Sequence, residues 1–143
     1  MNDSHSIKKN IVLFLFMSIF LIKGIFYAVY ITPPVVGTAP DDIGHLSYIQ
    51  YIASEKKLPV LYKTSLEKVT FDLWNSYMPN KSIDVDRFII TGEKFDEKYD
   101  DNWIAQHPPL YYLWMTPIYL IAKLITNKLY ILIIILRLAT IPF

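Results

Sequence analysis

The 143-residue sequence contains no cysteine, which removes a disulfide framework, a thiol nucleophile and a cysteine-ligated zinc site. It holds only four glycines, and none builds a Gly-rich phosphate loop, so dinucleotide and P-loop sites are excluded. It also lacks an excess of charge: 14 basic against 13 acidic residues leave +1, too little for a nucleic-acid partner. Internal repeats and low-complexity tracts are absent. The 53% of hydrophobic residues is too many for a disordered tail. They are collected in blocks near the two ends, with the charge between them, and that segregation points to a membrane protein.

The first block runs from Ile11 to Ile31 with Lys23 as its only charge. As a helix it would reach about 30 Å, the thickness of a bilayer's hydrocarbon core. Lys8 and Lys9 precede it, and Pro33-Pro34 stop it. A cleaved signal peptide is the competing reading, with Gly37-Thr38-Ala39 as a small-residue site. Pro40 after that site, and the apolar stretch resuming beyond Lys23, argue against it. The second block spans 108–126, with Tyr111, Tyr112 and Trp114 as an aromatic belt, Pro117 as a kink and Lys123 at its end. The third, 129–143, carries Arg137 and at about 22 Å is too short to cross.

Charge orients these blocks. Residues 32–107 hold twelve acidic and eight basic side chains, whereas everything outside them holds six basic residues and Asp3. The positive-inside rule puts residues 1–10 and the Thr126-Asn127-Lys128 turn in the cytoplasm and the 32–107 loop outside. The expected architecture is an all-α membrane protein. Helices 11–31 and 108–126 span the bilayer, 129–143 begins a third span, and the large extracytoplasmic loop carries juxtamembrane amphipathic helices.

Within the loop, Asp41 to Glu55 reads as an amphipathic helix opened by Pro40 and two aspartates. From Val60 to Tyr99 the pattern is weaker, with a turn at Met78-Pro79-Asn80, an alternating Ile83–Ile90 segment and charges read as a solvated face. Two constellations can carry chemistry. Pro40-Asp41-Asp42-Ile43-Gly44-His45 sets two carboxylates one helical turn before a histidine, a donor set able to hold a divalent cation or to place a general base. The plainer reading is a helix start with an incidental histidine. His107-Pro108-Pro109-Leu110-Tyr111-Tyr112 stands at the mouth of the second block, where it serves equally as an interfacial anchor.

Together, the P-D-D-x-x-H helix, the following Y-I-Q-Y-I-A-x-x-x-x-L-P run and H-P-P-L-Y-Y after a long loop resemble the N-terminal part of polytopic glycosyltransferases of the C superfamily. The likeness is to the protein-mannosyltransferase-like and aminoarabinose-transferase-like branches, and to a related bacterial family with P-P-D-E-x-x-H. It covers Ile11 to Arg137, where an Arg-Leu pair also fits. The resemblance implies a polyprenyl-phosphate-linked sugar as donor, a glycan, lipid or protein as acceptor, and inverting transfer outside the membrane. It places Asp41 as general base and Asp42 on the family's glutamate, a shorter side chain here. His45, His107 and Tyr111 then contact substrate, and Asp41, Asp42 and His45 become candidate ligands of a divalent metal ion. Such enzymes have many more spans, so the chain reads as a fragment, inactive alone. The alternative is a small non-catalytic membrane protein, an accessory or cell-envelope-binding subunit.

Overall fold

The computed structural model describes residues 3–31, 41–76 and 83–141. Its regular elements among these residues are helical. Helix α1 covers Asp3–Phe26 and widens into a π-helical turn at Tyr27–Ile31. Its stretch Lys9–Val29 has a mean hydropathy of 2.3 and is the one described helix long and apolar enough to cross a membrane. Its side chains from Ile11 to Ile22 are almost all exposed, so no protein core explains their apolarity. The stop at Pro33-Pro34, the candidate cleavage site 37–39 and the turn at 78–80 lie outside the described residues.

Helix α2, Asp42–Glu55, begins one residue after the expected Asp41. Asp42 in its first turn favours the positive helix end. Lys56 ends it in a left-handed conformation (φ 55°), its N–H donating to Ile52 O, where most helices use glycine. Nine of the fourteen residues of α2 are buried, a wider face than the apolar stripe the sequence suggested. Helix α3, Lys68–Ser76, starts at Glu67, whose carboxylate accepts the Thr70 N–H at 2.9 Å. Glu67 is fully buried, an exception to the reading of the loop charges as a solvated face, which most of the described charges between 60 and 99 fit. A buried carboxylate survives there because the helix's first N–H groups replace water. Ile83–Ile90 holds a short 3₁₀ turn, Val85–Arg87, with extended backbone on either side.

Helices α4, Leu110–Ile125, and α5, Leu129–Thr140, form a hairpin. Pro109 precedes α4, and Pro117 sits inside it. The core joins Ile43, Leu46 and Ile49 of α2 to Met115 and Tyr119 of α4 and to Leu129, Leu132 and Leu136 of α5. Each such side chain contributes about 1.5–3 kcal/mol on burial.

One expected placement does not hold. The turn between α4 and α5 pairs with the loop: Ile90 N–H donates to Asn127 O at 2.9 Å and Leu129 N–H to Phe88 O at 3.0 Å. The side chains of Lys128 and Asp86 form an ion pair beside this bridge. Segments on opposite faces of a bilayer cannot hydrogen-bond to one another. The 126–128 turn and the 83–95 part of the loop therefore lie on the same side. Furthermore, α4 spans about 24 Å, short of a hydrocarbon core.

Candidate functional site

Helix α2 brings the first constellation together, and the second reaches it from the start of α4. His45 Nδ1 lies 2.7 Å from the Tyr112 hydroxyl, across 67 residues of sequence. The His45 ring meets His107 edge-on at 5.7 Å between centroids. Tyr48, one turn further along α2, stacks on Tyr112 with centroids 3.7 Å apart and the planes only 9° from parallel. The two motifs therefore form one cluster. Aromatic stacking holds α2 and α4 in a register that keeps the imidazole and phenol in contact.

The carboxylates have separate partners. Asp41 Oδ1 accepts the Trp103 indole N–H at 3.1 Å, while Asp42 Oδ2 accepts from Arg137 Nη2 at 2.7 Å. Trp103 is positioned by Asn102, whose side chain accepts the Ile104 N–H and donates to Gly44 O, each at 3.1 Å. Arg137, on the last turn of α5, was not among the site residues expected from sequence. Its signals were a lone cation in an apolar block and the Arg-Leu pair that fits the resemblance.

Asp42, His45, Tyr111 and Arg137 line a cavity of about 230 Å³ together with the aliphatic Leu46, Ile133 and Leu136. Asp41 and His107 stand outside that lining. Burial pushes the His45 imidazole below its ordinary pKa, His107 adds to this, and Asp41 and Asp42 oppose it. The net effect favours the uncharged form of the ring.

The proposed metal set does not fit this geometry. Among the described residues no group of three or more His, Asp or Glu side chains is arranged to hold a metal ion. Asp42 is already neutralised by a guanidinium, and Asp41 turns an oxygen to an indole N–H.

A second polar cluster lies deeper. Gln50 Oε1 accepts from the Thr70 hydroxyl at 3.0 Å, and Ser47 Oγ accepts the Glu67 N–H at 3.1 Å. On the far end of α4, Tyr119 donates to Glu93 at 2.8 Å and Lys123 pairs with the same carboxylate. Burial alone would raise the pKa of Glu93, but the Lys123 and Tyr119 hydrogen bonds outweigh it and hold the group below its usual value. For Glu67 burial prevails over the Thr70, Val69 and Lys94 N–H groups, and the pKa is raised. Neither carboxylate was singled out from sequence.

No family model, characterised protein or solved structure matches the chain.

Proposed function

We propose that the protein is an integral-membrane glycosyltransferase of the kind its two motifs resemble, working at the membrane surface on a polyprenyl-phosphate-linked sugar. One observation carries this reading. The two motifs meet through His45 and Tyr112, and Asp42, His45 and Tyr111 line one cavity with Arg137 and the aliphatic Leu46, Ile133 and Leu136. A lipid phosphate offers that same combination of an anionic head and an apolar chain.

The roles follow from the partners. Arg137 supplies positive charge for the phosphate that leaves, a task suited to a guanidinium. Asp42 is the charge partner of Arg137, so the base falls to Asp41, at the start of α2. In the proposed step an acceptor hydroxyl attacks the anomeric carbon and the carbon–oxygen bond to phosphate breaks. The lipid phosphate leaves with the electron pair, Asp41 takes the hydroxyl proton, and the anomeric configuration inverts. His45 and Tyr112 hold the edge of the site, with Tyr111 lining it and His107 packed on His45.

The test is made in lipid nanodiscs by titrating polyprenyl phosphate and following its ³¹P resonance. Saturable perturbation, lost in Arg137→Gln, is expected; no perturbation overturns the reading. Transfer is then assayed from polyprenyl-phosphate sugars, where Asp41→Asn should cost on the order of 10²-fold or more. The alternative, a non-catalytic membrane protein, is favoured by one feature: both carboxylates are tied into the fold, by Trp103 and by Arg137. Binding without transfer from any donor would identify it.

A further inference from the structure

We propose that Lys23, the one charge inside the α1 span, holds the phosphate of a membrane lipid beside the Arg137 cavity, in the leaflet on the side of α2–α5. This rests on the reading of α1 as a span, but not on glycosyl transfer.

The first observation is that this cation has no counter-charge in the protein. Twelve of the thirteen acidic residues lie between Asp41 and Asp101, all among the described residues, and none of them pairs with Lys23. The thirteenth, Asp3, stands 20 residues away along the same helix, about 30 Å. A second copy of the chain would bring no acid either, because no Asp or Glu falls between Lys9 and Val29. A cation within a span is costly unless it is matched, so the negative charge comes from outside the polypeptide.

The second observation is the direction of the side chain. Lys23 lies six residues, about 9 Å, inside Val29, where the apolar stretch ends. It is exposed, and its Nζ reaches toward that end, 5.7 Å from the centre of the Tyr27 ring one turn further on. The aliphatic stem thus runs along the helix and raises the ammonium toward the lipid phosphates, and local thinning of the bilayer closes the remainder. An ammonium is a compact point charge suited to a phosphate.

The third observation sets this cation beside the cavity. Ile141 packs so closely on Gly24 that a Cβ there would stand 3.0 Å from Ile141 Cγ2. Ala28, one turn further, is buried, and the π-helical turn meets α5. With Ile141 at Gly24 and α5 itself at the π-helical turn, α5 leads outward from Gly24 toward the membrane surface. Arg137, one turn back from Ile141, therefore stands about 6 Å further out, level with Ala28 and the end of the span. Its pair with Asp42 stays at headgroup level. Lys23 and Tyr27 form the ridge of α1 next to Gly24 and Ala28. Arg137 and Thr140 line the cavity, so a phosphate on Lys23 lies at its membrane edge, with the lipid chain still in the bilayer.

The full chain is purified in a maltoside detergent, which carries no phosphate. Polyprenyl phosphate and phosphatidylglycerol are titrated in separate arms, read by ³¹P resonance and native mass spectrometry. Saturable binding is expected, weakened about five-fold in Lys23→Gln, restored in Lys23→Arg and unchanged in Lys9→Gln at the other end of the span. An effect confined to polyprenyl phosphate would identify the lipid as that one, and an equal effect on phosphatidylglycerol would identify an anionic headgroup in general. No binding of either lipid, or equal affinities of the parent and Lys23→Gln for both, would overturn the proposal. So would a weakening shared by Lys9→Gln, the mark of bulk charge. Binding lost in Arg137→Gln but intact in Lys23→Gln would overturn this inference alone. A Lys23-dependent affinity for phosphatidylglycerol, with no binding of polyprenyl phosphate, would overturn the proposed function alone.

Discussion

Arg137 and Asp42 stand 95 positions apart, yet Nη2 of the guanidinium donates to Oδ2 of the carboxylate at 2.7 Å. The contact fastens the last turn of α5 to the first turn of α2, and both side chains line the cavity. Both side chains are partly shielded, at 17% and 32% exposure, so the pair is worth more than a surface ion pair. Asp42→Asn and Arg137→Gln should each lower stability by about 1–2 kcal/mol. The double variant should lose less than the sum, with a coupling of about 1 kcal/mol. Thermal unfolding in detergent of the four members of this cycle measures it, and additive losses would show that the two groups are not coupled.

His45 makes the stability of the site depend on pH, with a definite sign. Burial, aided by His107, lowers its folded pKa beneath the 6.5 of an exposed histidine. Below 6.5 the unfolded chain therefore binds a proton that the folded chain refuses, and stability falls as the pH drops from about 6.5 to the folded value. Beneath that value the contribution of His45 levels off. The slope should be missing in His45→Asn. Melting temperatures of the two proteins between pH 7.5 and 5 would decide this, parallel curves being the contrary result.

Some of this site could be read directly from the residues. The α2 helix and its acidic start follow from local pattern, because helix starts and helical period are local properties, whereas the meeting of His45 with the His107-Pro108-Pro109 motif is a long-range contact that only the resemblance suggested. Arg137 could not be placed, since nothing in a run of isoleucines and leucines says which distant carboxylate will neutralise its one cation. Glu67 and Glu93 were misread for the same reason: a carboxylate's partners, not its neighbours in sequence, decide whether it is buried. In α4 the buried face of Tyr112, Met115 and Tyr119 is nearly as apolar as the exposed one, so hydropathy alone does not say which face meets the core.

Glu67 should show the opposite pH dependence. Burial raises its folded pKa above 4.5, so the folded state holds the proton more tightly than the unfolded chain. The stabilisation from that proton is complete below about pH 4.5 and is lost as the pH rises through the folded value. Glu67→Gln keeps an acceptor for the Thr70 N–H but cannot ionise. Relative to the parent, this variant should gain stability between pH 4.5 and 7.5. Glu67→Ala, which leaves the α3 start uncapped, should instead lose about 1–2 kcal/mol throughout. Unfolding midpoints at the two pH values for both variants test the assignment, and an unchanged difference for Glu67→Gln would refute it.

Gly44 sits between the carboxylates and His45, and its lack of a side chain is what lets α2 meet the segment that carries Trp103 and His107. A Cβ at this position would stand 2.4 Å from Ile104 Cγ1 and 3.2 Å from Asn102 Oδ1. The first distance is far inside van der Waals contact, and Ile104 is itself buried, so it cannot simply swing away. Replacing a helical glycine by alanine would ordinarily stabilise by about 1 kcal/mol. Here overpacking should win and Gly44→Ala should lose about 1–3 kcal/mol net. The displacement would also weaken the Asn102–Gly44 bond and draw Trp103 away from Asp41. Ile104→Ala removes the clashing carbons at the cost of a cavity, so the double variant should be more stable than the sum of the two single losses implies. Unfolding free energies of the two single variants and the double variant test this, with tryptophan emission reporting the indole's contact with Asp41. A neutral or stabilising Gly44→Ala would mean that the approach of α2 to Ile104 is looser than this packing requires.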